Sequence, residues 1–230
     1  MTPATPNDEV QFARLLAEWA RLTPSTSNIV ARWDTEVLRL VADQRALQAR
    51  GAWLHGRSDM LGVLGAARKE TWHSALIAWL LDPCGTHGLG ARFLAGVLAE
   101  AFPHEGFDGL EAARTSCEIA RGPCRADIII ELPTATIILE NKVDAVESAQ
   151  QCDTLFEQFA DDPGCRFVFL TPRGWQPTTA SGPALEAFAR LSYVGVGARL
   201  NEALAASASA PGPGRHIAED YLRTLEREFR

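Results

Sequence analysis

The sequence has no long apolar run. Its strongest stretches, such as Leu76 to Leu81, fall far short of the roughly 20 residues that a helix needs to cross a bilayer. The start, Met-Thr-Pro-Ala-Thr-Pro-Asn-Asp-Glu, lacks a basic segment leading into an apolar core, so no signal peptide is expected and a cytoplasmic location follows. Basic residues never cluster in runs of five or more, and the net charge is −7. That excludes a protein that coats nucleic acid by bulk charge. It leaves room for an enzyme that meets phosphates through a bound cation and a local groove. The five cysteines are odd in number and irregularly spaced, which excludes a disulfide framework and points to reduced thiols. Internal repeats are absent, and no Ser-His-Asp or Cys-His arrangement stands out.

At 230 residues, with 47% apolar and 22% charged residues, the composition is that of an ordinary globular protein with one sizeable core. Apolar residues recur at helical spacing over 8–22, where Asp8 is a candidate cap. A second helix, capped by Ser27 or Asn28, is expected to reach about Ala49. The glycine-rich stretch 51–65 reads as a linker. Helices are expected over 68–81, stopped by Asp82-Pro83, and over 89–102. The period then changes. Residues 117–120, 125–132 and 136–143 read as strands, and the triplets Ile128-Ile129-Ile130 and Ile137-Ile138-Leu139 imply a sheet covered on both faces. A helix over 145–160, a strand over 166–170, a fifth strand over 191–196 and helices over 198–206 and 215–229 complete the pattern, with Pro-Gly-Pro-Gly at 211–214 between the last two. We therefore expect an α/β protein, with an N-terminal helical extension (1–66) packed on a core domain (67–230).

The chemistry concentrates in Arg125-Ala-Asp-Ile-Ile-Ile-Glu-Leu-Pro-Thr-Ala-Thr-Ile-Ile-Leu-Glu-Asn-Lys142. Folding the chain about Pro133-Thr134 pairs positions that sum to 267. Proline at 133 disfavours a tight primed turn and favours a four-residue loop, which keeps the same sum. Ile129 then meets Ile138, and Asp127 meets Glu140. Two carboxylates side by side repel and weaken a sheet, and a divalent cation removes the repulsion. Oxygen ligands suit Mg²⁺, which binds through one or two carboxylates and keeps several waters. Lys142, two residues beyond Glu140, shares its face of the strand. Its ammonium can orient an attacking water or balance charge on phosphorus. Charges are out of place in strands otherwise this aliphatic.

Asp127 followed by Glu140-Asn141-Lys142 after a hydrophobic strand resembles the D…(D/E)xK signature of the PD-(D/E)XK nuclease superfamily. Glu70-Thr-Trp-His73-Ser-Ala-Leu-Ile-Ala-Trp-Leu-Leu-Asp82-Pro83 with His87-Gly-Leu-Gly90 resembles the opening helix of one branch. Glu147-Ser-Ala-Gln-Gln151 and Phe167-Val-Phe-Leu-Thr-Pro172 resemble its later helix and strand. The resemblance implies a restriction-endonuclease-like core of helix, three-stranded meander, helix and strand. It also implies a metal-dependent nuclease acting on nucleic acid, DNA foremost, with Mg²⁺ as cofactor and Mn²⁺ as a substitute. Asp127 and Glu140 would ligate the metal, with the Asn141 carbonyl as a further ligand. Glu70 would bind or position it through water, Lys142 would act on the nucleophile, and Gln151 would support the site. Ala126 stands where the family has proline, and Leu155 where the glutamine motif often has an aromatic. Defence against foreign DNA is a common setting for such enzymes.

Two other readings stay open: a catalytically silent nuclease-fold protein that binds nucleic acid or a protein partner, and a metal-dependent phosphohydrolase acting on a small substrate. The acidic charge also admits a homodimer or protein partner that shapes the field at the site. Zinc is a weak candidate, because Cys84-x-x-His87 has no convincing second pair. His73 is read as packed or capping, and His87 as part of the turn before the next helix.

Overall fold

Strands form where the β-branched triplets lie. In the computed structural model, which describes residues 6–22, 26–52, 56–207 and 212–230, five strands make one mixed sheet in sequential order. They are β1 (Arg114–Arg121), β2 (Cys124–Glu131), β3 (Thr136–Asn141), β4 (Arg166–Thr171) and β5 (Phe188–Ser192). The first three form an antiparallel meander, and β4 and β5 add in parallel. The β2–β3 register is the expected one, with Ile128 opposite Leu139, Ile129 opposite Ile138 and Ile130 opposite Ile137. Four residues, 132–135, join the two strands, and Leu132 N–H donates to Ala135 O at 2.8 Å.

Helices α1 (Pro6–Leu22) and α2 (Thr26–Ala49) belong to one compact unit, Met1–Gly56, and the remaining helices to another, Arg57–Arg230. In the second unit, α3 (Met60–Val63), α4 (Glu70–Leu81), α5 (Arg92–Ala101), α8 (Tyr193–Ala206) and α9 (Pro213–Glu228) bury one face of the sheet around Ile128, Ile130, Ile137, Leu139, Val168 and Leu170. Helix α6 (Gln151–Phe159), with Ala187 at the end of α7 (Gly182–Ala187), covers the other face around Ile129, Ile138, Phe167 and Phe169. Alternate residues of the same triplets thus enter two separate apolar layers, which is why the strands are aliphatic on both faces.

Several boundaries differ from the sequence reading, each for a local reason. The glycine-rich stretch 51–65 contains α3, because buried Asp59 caps it through Gly62 N–H at 2.8 Å. Asp59 also accepts from Thr224 Oγ1 at 2.7 Å and pairs with Arg227, which ties α3 to α9. The helix expected from 145 starts at Gln151. Upstream, the Glu147 carboxylate accepts four bonds from Thr178 and Thr179, and Gln150 takes a left-handed φ of 58°. The strand expected over 191–196 is β5 followed by α8, because the Ser192 side chain accepts from Gly195 N–H at 2.9 Å and starts the helix. Pro213 occupies the first turn of α9, as its fixed φ allows. Residue 211 lies outside the described residues.

Both histidines of the helix-and-turn segment are packed within the fold. His73 bonds Ala67 O at 2.9 Å and Tyr221 OH at 2.8 Å, among the rings of Tyr193, Tyr221 and Phe229. His87 bonds Asp82 O at 2.8 Å, and its Nδ1 accepts from Leu89 N–H at 3.0 Å. Burial lowers the pKa of both. A lowered folded value means the unfolded chain binds the proton more readily, so this stability is whole above about 6.5 and is lost as pH falls. The urea midpoint of the wild type should therefore fall, relative to His87→Gln, between pH 7 and 5. Parallel curves for the two proteins would mean that the protonated ring is accommodated.

Candidate active site

The antiparallel ladder between β2 and β3 ends at Ile128–Leu139. One step further, the Asp127 side chain takes over. Its Oδ2 accepts from Asn141 N–H at 2.8 Å, so the strand end is closed by a carboxylate in place of a backbone carbonyl. On the other side β3 continues beside β4, with Lys142 N–H donating to Leu170 O at 2.8 Å. The middle of β2 and the end of β3 thus bring Asp127 together with the Glu140–Lys142 segment.

Glu140 is fully buried. Its Oε1 accepts from Lys142 Nζ at 2.7 Å and from Gln151 Nε2 at 2.5 Å, while its Oε2 has no hydrogen-bond partner among the described residues. Gln151, at the start of α6, also accepts from Ser148 N–H at 3.2 Å. Glu70, in the first turn of α4, reaches across to the loop after β3, where its Oε1 accepts from Val143 N–H at 2.7 Å and Ala145 N–H at 3.2 Å. A cavity of about 330 Å³ is lined by Glu70, Glu118, Arg125, Asp127, Lys142 and Gln151, among others. Glu140 is not among the lining residues, but it bonds Lys142 and Gln151, which are.

Asn141 has a role that the sequence did not signal. Its buried amide donates to Ser74 Oγ at 3.0 Å and Glu70 O at 3.2 Å, and accepts from the buried Tyr193 hydroxyl at 2.7 Å. The side chain therefore fixes β3 against α4 and α8. Only its main-chain carbonyl is left for the ligand role implied by the resemblance. Asn141→Ala strands the Tyr193 hydroxyl and should cost about 2–4 kcal/mol in stability, since buried groups left unpaired cost about 1–3 kcal/mol each. Chemical denaturation measures this directly, and a change within error would mean that water replaces the amide.

The electrostatics favour a bound cation. Burial, opposed by the Asn141 N–H and by Lys142, pushes Asp127 up to about 6. Burial and the neighbouring Asp127 charge push Glu140 up to about 8. Burial works against the Lys142 charge, but Glu140, Asp127 and Glu70 outweigh it and hold the ammonium above its ordinary pKa. Each of the three carboxylates bonds the scaffold through one oxygen only: Glu70 Oε1, Asp127 Oδ2 and Glu140 Oε1. The buried, unpartnered Glu140 Oε2 is the clearest fit for a cation, because an unpaired buried oxygen is costly. Among the described residues, no group of three or more His, Cys, Asp or Glu side chains converges to hold a metal by itself.

Sequence reasoning missed two further residues of this cavity, Glu118 and Arg125. They form an ion pair at 2.8 Å, and neither belongs to a motif. Comparison with curated proteins and with solved structures finds no match. A family model of the PD-(D/E)XK nuclease superfamily matches residues 58–220, which run from α3 into the first half of α9 and include every residue of the cavity described above. With well over half of its length matched and a mixed sheet flanked by helices on both faces, this chain belongs to the PD-(D/E)XK nuclease superfamily.

Proposed function

We propose that the protein is a divalent-metal-dependent nuclease that hydrolyses phosphodiester bonds, with DNA as substrate, Mg²⁺ as the cation and Mn²⁺ as a working substitute. The observation that carries this reading is the orphaned Glu140 Oε2, buried beside a second raised carboxylate and a lysine. Asp127 and Glu140 would hold the ion, with Glu70 acting through water and the Asn141 carbonyl as a further ligand. When bound, the ion neutralises the carboxylate pair and polarises a phosphate oxygen and a water. The chain's own groups do the rest. Lys142 Nζ, fixed by Glu140, can orient the attacking water and balance the charge that grows on the phosphate. Gln151 holds Glu140 in place through the same oxygen. Glu70 fixes the loop 143–145 beside the site.

The test is incubation of plasmid, linear duplex, single-stranded DNA and RNA with Mg²⁺, Mn²⁺ or EDTA. Cleavage of DNA with either divalent ion and none in EDTA is the expected result. Retained nucleic-acid binding without cleavage would support the silent nuclease-fold reading. Hydrolysis confined to a small phosphodiester would support the phosphohydrolase.

An association surface fits the N-terminal helices. Trp33, Val37, Leu38 and Leu40 of α2 are exposed, Leu38 at 70%. Light scattering that finds a monomer at all concentrations would remove the homodimer.

A further inference from the structure

Glu118 has a left-handed backbone, φ 57°, in the middle of β1. A side chain there is strained, and such positions are kept where the surroundings require them. The β1–β2 ladder runs from Arg114–Glu131 to Arg121–Cys124, and Cys117–Ile128 and Ile119–Ala126 flank a position where Glu118 and Asp127 make no ladder pair. Residues two apart on a strand normally share a face. Here Ile128 packs in the α4–α5 layer and Ala126 in the α6 layer. The ribbon turns over at Glu118 and Asp127. Beyond that point it presents Arg125, whose Nε meets Glu118 Oε2 at 2.8 Å, with Arg125 63% and Glu118 33% exposed.

Two cations line the cavity among the described residues, Arg125 and Lys142. Lys142 is engaged by Glu140 and is only 13% exposed. Arg125 is the one placed to meet an incoming anion. We propose that Arg125 is a phosphate-binding arm for a backbone phosphate of the substrate strand beside the candidate metal site, and that Glu118 is the counter-ion that holds the arm until the phosphate arrives. The proposal rests on the nuclease reading. Its energetics are favourable. An exposed ion pair contributes little to stability, so exchanging the Glu118 carboxylate for a phosphate costs little, and a guanidinium binds phosphate through two parallel hydrogen bonds. The same carboxylate screens Arg125 from unspecific anions, which suits an acidic chain that acts on a polyanion.

The test is fluorescence anisotropy with labelled single-stranded and duplex oligonucleotides in EDTA, so that binding is read without cleavage. Arg125→Ala should weaken binding about tenfold and lower the slope of log K against log salt by about 0.7–0.9, the loss of one phosphate contact. Glu118→Gln should tighten binding severalfold in the wild-type background and leave it unmoved in the Arg125→Ala background. Glu118→Gly, which removes the backbone strain, should show the same tightening together with a raised melting temperature. Equal tightening by Glu118→Gln in both backgrounds would make Glu118 an ordinary repelling charge and overturn the proposal. So would wild-type binding by Arg125→Ala, or loss of Mn²⁺ affinity in Glu118→Gln, which would make Glu118 a metal ligand. A wild type that binds through Arg125 but cleaves nothing would refute the nuclease reading alone. Cleavage by a chain whose binding ignores Arg125 would refute the arm alone.

Discussion

Lys142→Ala should lose phosphodiester cleavage by about 10²–10³, equivalent to about 3–4 kcal/mol of transition-state stabilisation, while the chain stays folded and still binds a divalent ion. The expectation follows from where the ammonium sits. It is buried against Glu140 at 2.7 Å and lines the cavity beside Asp127, and as a protonated amine it offers only donors. It can stabilise developing negative charge but cannot ligate a metal. Asp127→Asn should behave differently, losing divalent affinity together with rate, because it removes a ligand charge. Cleavage of labelled DNA, alongside Mn²⁺ titration by calorimetry, separates the two. Wild-type cleavage by Lys142→Ala would reduce Glu140-Asn141-Lys142 to an ordinary strand end.

In the metal-free protein the buried carboxylates should lose their share of stability as pH rises from about 5 to about 8, and Mn²⁺ should restore it most at the upper end. Glu140 is raised from 4.5 to about 8 and Asp127 from 3.8 to about 6, chiefly by burial. A raised folded pKa means that the folded chain holds the proton more tightly than the unfolded one. Stability from these groups is therefore whole below their ordinary values and is lost as pH rises through the raised ones. The histidine contribution runs the opposite way and fades above about 7, where Asp127 has also lost most of its proton, so the range 7–8 reads Glu140. A divalent ion binds the deprotonated pair, and at 100 times its dissociation constant it stabilises by about 2.7 kcal/mol. Melting curves in EDTA and in Mn²⁺ across this range measure both effects. Glu140→Gln should flatten the metal-free profile and abolish the gain from Mn²⁺. A wild-type profile in EDTA without slope between 7 and 8 would contradict the buried-carboxylate account.

What the sequence made legible was set by pattern and spacing. The aliphatic triplets and the breaker at Pro133-Thr134 are enough to define the β2–β3 register, because a one-residue slip would move every side chain to the other face. The helix Glu70–Leu81 was legible from its apolar residues and the Asp82-Pro83 stop. The α6 boundary was not, because Glu147 and its four bonds come from residues about 30 positions away. Asn141 reads in sequence as the variable middle of a motif. Its partners Ser74 and Tyr193 lie on other elements, and no local pattern encodes them. Glu118 was invisible for another reason: nothing in Cys-Glu-Ile announces a left-handed glutamate, since glycine is the residue that signals such a backbone.

That turn of the ribbon also protects the sheet. Among the described residues β1 is the first strand in the order and pairs with β2 alone, so its outer edge can offer backbone groups to an extended chain nearby. A flat eight-residue edge would template addition of another strand and, with it, aggregation. At Glu118 β1 makes no ladder pair and its backbone turns left-handed, which breaks the flat edge that a stray strand would need. The backbone that presents Arg125 to the cavity thus also keeps one molecule's sheet from continuing into the next.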